Sequence, residues 1–177
     1  DPYSGEKIVD LTNGYQTFTV EFQMKKPTDL KSILSISMGA IGGTQITTQH
    51  QICIDNIKLE KIDAPPVPVT PAGENLIKNF NFASGSDSWE SAFTAPGTGT
   101  ATFTDNKATY SITDVGTADW NVQLKQSGIT LEQGQKYRVT FKATSTEDRT
   151  IKMAMLTATY GWYGGADIAL TKDVTQD

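Results

Sequence analysis

Apolar and polar residues alternate along most of the chain. Between residues 16 and 24, Phe18, Val20, Phe22 and Met24 fall on one side, with Thr17, Thr19, Glu21 and Gln23 on the other. A period of two is the mark of a strand with one buried face. The same reading predicts strands at 32–38, 51–59, 101–104, 107–112, 121–125, 136–143, 150–156 and 167–170. Asp105-Asn106 sits between two of these and predicts a tight hairpin. No stretch of a dozen residues carries a capped 3.6-residue period. Short strands separated by Gly, Asn, Asp and Ser turns predict an all-β chain folded as a β-sandwich.

One segment breaks the pattern. Four of the seven prolines fall between residues 63 and 73. Such a stretch favours extended polyproline geometry and cannot sustain a hydrogen-bonded ladder. It divides the chain into residues 1–62, a linker at 63–74, and residues 75–177. A short echo links the two ends. Tyr3, Gly5, Ile8, Leu11, Thr12 and Gln16 are matched by Tyr163, Gly165, Ile168, Leu170, Thr171 and Gln176, and Tyr to Gln spans fourteen residues in both copies. The echo is expected if two tandem repeats were cut at equivalent points; chance likeness between two strand-and-turn pieces is the plainer alternative.

Composition narrows the chemistry. The 177 residues carry a net charge of −5, and only Arg138 and Arg149 among the fifteen basic residues are arginines. A phosphate-tracking surface needs clustered Lys and Arg, so nucleic acid is not an expected partner. No apolar run reaches the length of a membrane helix, and no membrane partner is expected. Cys53 is the single cysteine and His50 the single histidine, which argues against a disulfide framework, thiolate zinc cages and most His-based catalysis. Cys53 alternates with Ile52 and Ile54 and reads as a small packed thiol rather than a nucleophile. Thr, with 25 residues, fits a chain of strands.

Residues 75–85, Asn-Leu-Ile-Lys-Asn-Phe-Asn-Phe-Ala-Ser-Gly, followed by Trp89, resemble the opening strand of carbohydrate-binding modules of the family four, nine, sixteen and twenty-two group. The most specific match is Trp120 to Val139, with its plan of strand, Gly-x-x-Leu-x-x-Gly-x-x-Tyr, strand. Residues 15–22 and 52–59 resemble the closing half of the same modules, so the order here is permuted. The resemblance implies a jelly-roll sandwich of the galactose-binding-like kind. It also implies that residues 1–62 are the C-terminal half of one module and 75–177 the N-terminal half of the next. Neither half closes a sandwich alone without exposing strand edges, so the two are expected to complete one sandwich, within a chain or by domain-swapped self-association.

Sugars present an apolar face of C–H groups and a rim of hydroxyls, so their sites want aromatic platforms beside hydrogen-bonding groups. Trp120 stands at a strand margin, and Gln123 lies opposite the apolar pair Val122 and Leu124. Residues 159–165 form a Gly-flanked aromatic loop carrying Trp162 and Tyr163. By motif position, the resemblance implies cleft roles for Trp120 and Tyr163; packing at a sandwich rim is the alternative for each. Trp89 is a further candidate, with core packing the better reading. The family's amide-bearing position falls near Ser37, leaving Gln45, Gln49 and Gln51 as substitutes. The resemblance also implies a structural Ca2+ at Asp55 and Asn81, although Ala83 stands where an acidic residue is frequent.

The resemblance implies a non-catalytic module binding a β-1,4-glucan or mannan chain of plant cell walls. It would be an accessory domain of a secreted bacterial glycoside hydrolase. The alternatives are a structural or adhesive sandwich of a bacterial cell-surface protein and, more weakly, a hydrolase domain. No motif for phosphate binding, a nucleophile elbow or a zinc protease is present.

Overall fold

In the computed structural model, residues 15–62 and 74–170 are described. The Pro-rich linker, and the parts of the terminal echo in 1–14 and 171–177, lie outside them. Ten strands form two five-stranded sheets packed face to face. They are β1 (Gln16–Gln23), β2 (Asp29–Ser37), β3 (His50–Ile62), β4 (Glu90–Phe93), β5 (Thr98–Thr104), β6 (Lys107–Asp114), β7 (Val122–Leu131), β8 (Lys136–Ser145), β9 (Arg149–Leu156) and β10 (Trp162–Leu170). The sheet orders are β1-β8-β3-β6-β5 and β10-β9-β2-β7-β4. All pairings are antiparallel.

Both sheets mix strands from before and after residues 63–73. β3 lies between β8 and β6, and β2 lies between β9 and β7, so two of the three early strands occupy the middle of a sheet built mainly from later ones, while β1 forms an edge beside β8. Their inner faces fill one core. Leu34 and Ile36 of β2, Ile52, Ile54 and Leu59 of β3, Tyr110 of β6, Leu124 of β7 and Phe141 of β8 are fully buried. Aromatic pairs such as Phe18–Phe141, with centroids 5.6 Å apart, pack within it. The core answers the period-two pattern, because every second residue of each strand is delivered to the same side.

The Asp105-Asn106 hairpin forms as the sequence predicts. Both residues have positive φ, 53° and 58°, and Thr104 pairs with Lys107. That is the left-handed turn whose twist matches the flanking strands. Two elements differ from the sequence reading. β4 was not expected, since Glu90–Phe93 carries little apolar periodicity and is recruited by backbone pairing with β7. The aromatic stretch 159–165 is not a single loop. Only 157–161 turns, while Trp162 and Tyr163 already belong to β10.

Candidate functional site

The outer face of the β10-β9-β2-β7-β4 sheet floors a cleft of about 650 Å³. Strand register explains its shape. On one rung Glu90, Lys125, Ser35 and Ala154 lie side by side on β4, β7, β2 and β9; on the next lie Ala92, Gln123, Ser37 and Lys152. Ser35, Ser37, Ala92 and Ala154 are small, so the floor stays low across the middle strands. β2 and β7 are buried on both faces for this reason, with Leu34, Ile36, Val122 and Leu124 in the core and Ser35, Ser37, Gln123 and Lys125 under the cleft.

Two aromatic walls rise from the floor. Trp120 stands on a short 3-10 turn, Asp119–Asn121, just before β7, and is 51% exposed. The buried amide of Asn121 builds that turn. Its Oδ1 accepts from the backbone N–H groups of Thr117 (2.9 Å) and Ala118 (2.8 Å), and its Nδ2 donates to the Thr94 carbonyl (3.0 Å). Gly116 is required there, with φ 76° and a position where a Cβ would strike the Asn121 side chain. The opposite wall is Trp162, 41% exposed, beside Tyr160 at 59%. The Thr157 hydroxyl accepts from Gly161 N–H (2.8 Å) and tightens the turn that lifts Tyr160 out. A Cβ on Gly165 would meet the Trp162 ring, so the missing side chain gives the indole its resting place.

Polar groups fill the floor between the walls. Gln123 Nε2 donates to both Ser35 and Ser37 hydroxyls at 3.1 Å, which fixes the amide and leaves its oxygen available as an acceptor. Lys125 Nζ pairs with Glu90 at 2.9 Å and lies 5.7 Å from the Tyr160 ring centroid. Lys152 Nζ pairs with Asp119 at 2.6 Å. Burial pushes both ammonium groups down, but the hydrogen bond and charge of Glu90 on Lys125, and of Asp119 on Lys152, outweigh it and leave both pKa values raised. Both lysines are therefore charged donors across the physiological range.

Trp120, Gln123 and Trp162 are thus brought together on one cleft. Two other candidates are placed elsewhere. Trp89 is buried in the core, 5.3 Å from Phe82, with its Nε1 donating to the Asn79 carbonyl at 3.0 Å. Tyr163 follows Trp162 and therefore faces the other way, packing against the core while its hydroxyl donates to Asp29 at 2.8 Å. Ser37 stands where the amide of related modules was expected, and its rung neighbour Gln123 supplies one. Gln45 and Gln51 are engaged outside the cleft, with Gly116 and Ser111, and Gln49 is exposed and not part of the cleft lining. Lys125, Lys152, Glu90 and Tyr160 were not singled out from the sequence. The available signal was a polar residue alternating with apolar ones, as Lys152 does between Ile151 and Met153.

Asp55 and Asn81 carry the oxygen chemistry that calcium favours. The Asp55 carboxylate accepts from the backbone N–H (2.6 Å) and side chain (2.7 Å) of Asn56, and Asn81 Oδ1 accepts from Ala83 N–H at 3.3 Å. A hydrogen bond from Ile57 to the Phe80 carbonyl ties the two segments together. Among the described residues no group of three or more His, Cys, Asp or Glu gathers, so an ion here would draw on backbone carbonyls to complete its shell.

Searches of curated proteins and of solved structures give no match. A family model described as a carbohydrate binding domain, of the family four and nine type, matches residues 74–176. That is more than half of the chain, and it includes both aromatic walls and all the cleft strands except β2. The chain therefore belongs to this family of carbohydrate-binding domains, which are non-catalytic binding modules.

Proposed function

We propose that the cleft between Trp120 and Trp162 binds a β-1,4-linked glucan or mannan chain, as an accessory module of a secreted bacterial glycoside hydrolase. The observation that carries this reading is the pairing of two half-exposed indoles across a floor of hydrogen-bonding side chains. The indoles offer C–H-facing platforms, while Gln123, Lys125 and Lys152 reach sugar hydroxyls. The charges within the cleft are paired, Lys125 with Glu90 and Lys152 with Asp119, which suits a neutral polymer. Affinity electrophoresis on soluble β-glucan, mannan and xylan tests it. The folded protein is expected to be retarded by glucan or mannan, and Trp120→Ala or Trp162→Ala to lose roughly 1–3 kcal/mol of binding. A folded protein running freely in every gel overturns the reading in favour of a structural or adhesive sandwich.

We read the chain further as the closing half of one tandem module followed by the opening half of the next. The family match beginning at residue 74 supports this, as does the permuted order of the motifs. A structural Ca2+ at Asp55 and Asn81 belongs to the same proposal and is supported by the hardness of that donor set. Thermal melts with and without a chelator check it: a lower midpoint in chelator is expected, and an unchanged one removes the ion.

A further inference from the structure

A buried cation braces the Trp120 wall from below. Arg149, the first residue of β9, is 6% exposed. Its Nη2 donates to the Met38 and Gly39 carbonyls and its Nη1 donates to His50 Nε2. The segment it holds carries the Trp120 turn in its own right. Met38 N–H donates to the Val122 carbonyl (2.7 Å), Gly39 N–H to Asp119 (3.0 Å) and Ala40 N–H to Ala118 (3.1 Å). Those three bonds bracket Trp120 on both sides. A Cβ on Gly39 would collide with the Ala118 carbonyl, so the two backbones lie as close as they can.

His50 completes the unit in one protonation state only. A guanidinium donates and never accepts, so Nε2 must present its lone pair to Arg149. The Thr48 carbonyl accepts and never donates, so Nδ1, 2.8 Å away, carries the proton. A second proton would set N–H against N–H and cation against cation. The charged groups acting on the ring are Arg149 on β9 and Glu147 on the turn before it; β6 brings Ile112 opposite, and segment 38–39 brings backbone carbonyls to Arg149. Burial is the largest influence and lowers the imidazole pKa. The Thr48 bond opposes it, the Arg149 charge adds to the lowering, and Glu147 opposes again.

We propose that His50 and Arg149 form an acid-sensitive latch that positions Trp120, so that protonating His50 frees segment 38–40 and weakens glycan binding. The proposal rests on the reading of the cleft as a sugar site. Neither residue lines the cleft, so both act as positioning residues. The sign follows from linkage: the latched ring holds a proton less well than a free one, so acid favours the unlatched state. The latch is intact above the ordinary histidine value near ~6.5 and yields as pH falls below it.

Two measurements on the whole chain separate the latch from the ligand. In the first, without sugar, the indole N–H resonances of Trp89, Trp120 and Trp162 are followed from about pH 7.5 to about pH 5. The Trp120 signal is expected to shift with a single titration, and His50→Gln, which keeps an acceptor for Arg149 but gains no proton, is expected to abolish the shift. In the second, soluble β-glucan binding is expected to weaken as pH falls, by at most about tenfold per pH unit by which the latched ring's pKa is held down, and to change less than about twofold in His50→Gln. Arg149→Lys keeps the charge but loses the fork, and is expected to broaden the Trp120 signal at every pH. A Trp120 resonance that does not move, or that moves equally in His50→Gln, overturns the latch. A resonance that titrates while no glycan is retained at any pH supports the latch and overturns the glycan reading instead.

Discussion

Asn121 shows how much of the cleft hangs on one amide. Its side chain accepts from two backbone N–H groups of the bend before β7 and donates to the Thr94 carbonyl, which also accepts from Gly97 N–H. Asn121→Ala removes the acceptor of both N–H groups and empties a buried position, and is expected to cost about 2 kcal/mol of stability by chemical denaturation. Asn121→Asp keeps the acceptor but loses the donor, and is expected to cost less. At this scale the sequence reading succeeded where a residue's neighbours fixed its direction. Gln123 was legible because Val122 and Leu124 declare which face of β7 is the core, and Trp120 because it stands at the margin of that strand, at a motif position the resemblance marks. Trp162 and Tyr163 were not separable, because adjacent aromatics read alike until the strand that divides them is known. Trp89 already read better as core, and Phe82 and the Asn79 carbonyl beside it give the packing and the hydrogen bond that hold it there.

Among the elements, the turns speak for themselves and the edges do not. The β5–β6 hairpin holds Asp105 and Asn106 in left-handed geometry, which their short polar side chains tolerate. Asn106→Val is expected to destabilise by roughly 1–2 kcal/mol, and Asn106→Gly to match or exceed the original protein, as read from denaturation midpoints. β4 is the opposite case. It pairs over four residues with β7, at the sheet margin, and Glu90 and Ala92 face the cleft. A strand made by its neighbour's unpaired backbone leaves little trace in its own side chains. The start of β10 was hidden for a related reason. A register shift between Trp162 and Gly164 interrupts the alternation by which strands are recognised.

The whole molecule depends on strands that are distant in sequence. β2 and β3 sit in the interior of sheets whose other members, β1 apart, all lie beyond residue 73. Without residues 15–62, the segment 74–170 would present unpaired edges on β9, β7, β8 and β6 and an open apolar face. Produced alone, it is expected to lack a cooperative unfolding transition, and mixing with a 1–62 piece is expected to restore one together with strand circular dichroism. A cooperative transition in the isolated later segment counts against this dependence. The all-β class and every strand but β4 were legible in periodicity. The order of strands within each sheet was not, because alternation says which face is buried and nothing about which neighbour lies alongside.

The placement of β2 has one further consequence. Ser35 and Ser37 of the floor come from before residue 63, whereas Trp120, Gln123 and Trp162 come from after residue 73. A sugar seated in the cleft would touch both stretches at once, and so would cement the fold as well as occupy it. Saturation at about a hundred times the dissociation constant would add about 2.7 kcal/mol to the cohesion of the two stretches. Recognition here would also be heritable in two parts: exchanging the early stretch alone would lay a new floor between unchanged walls.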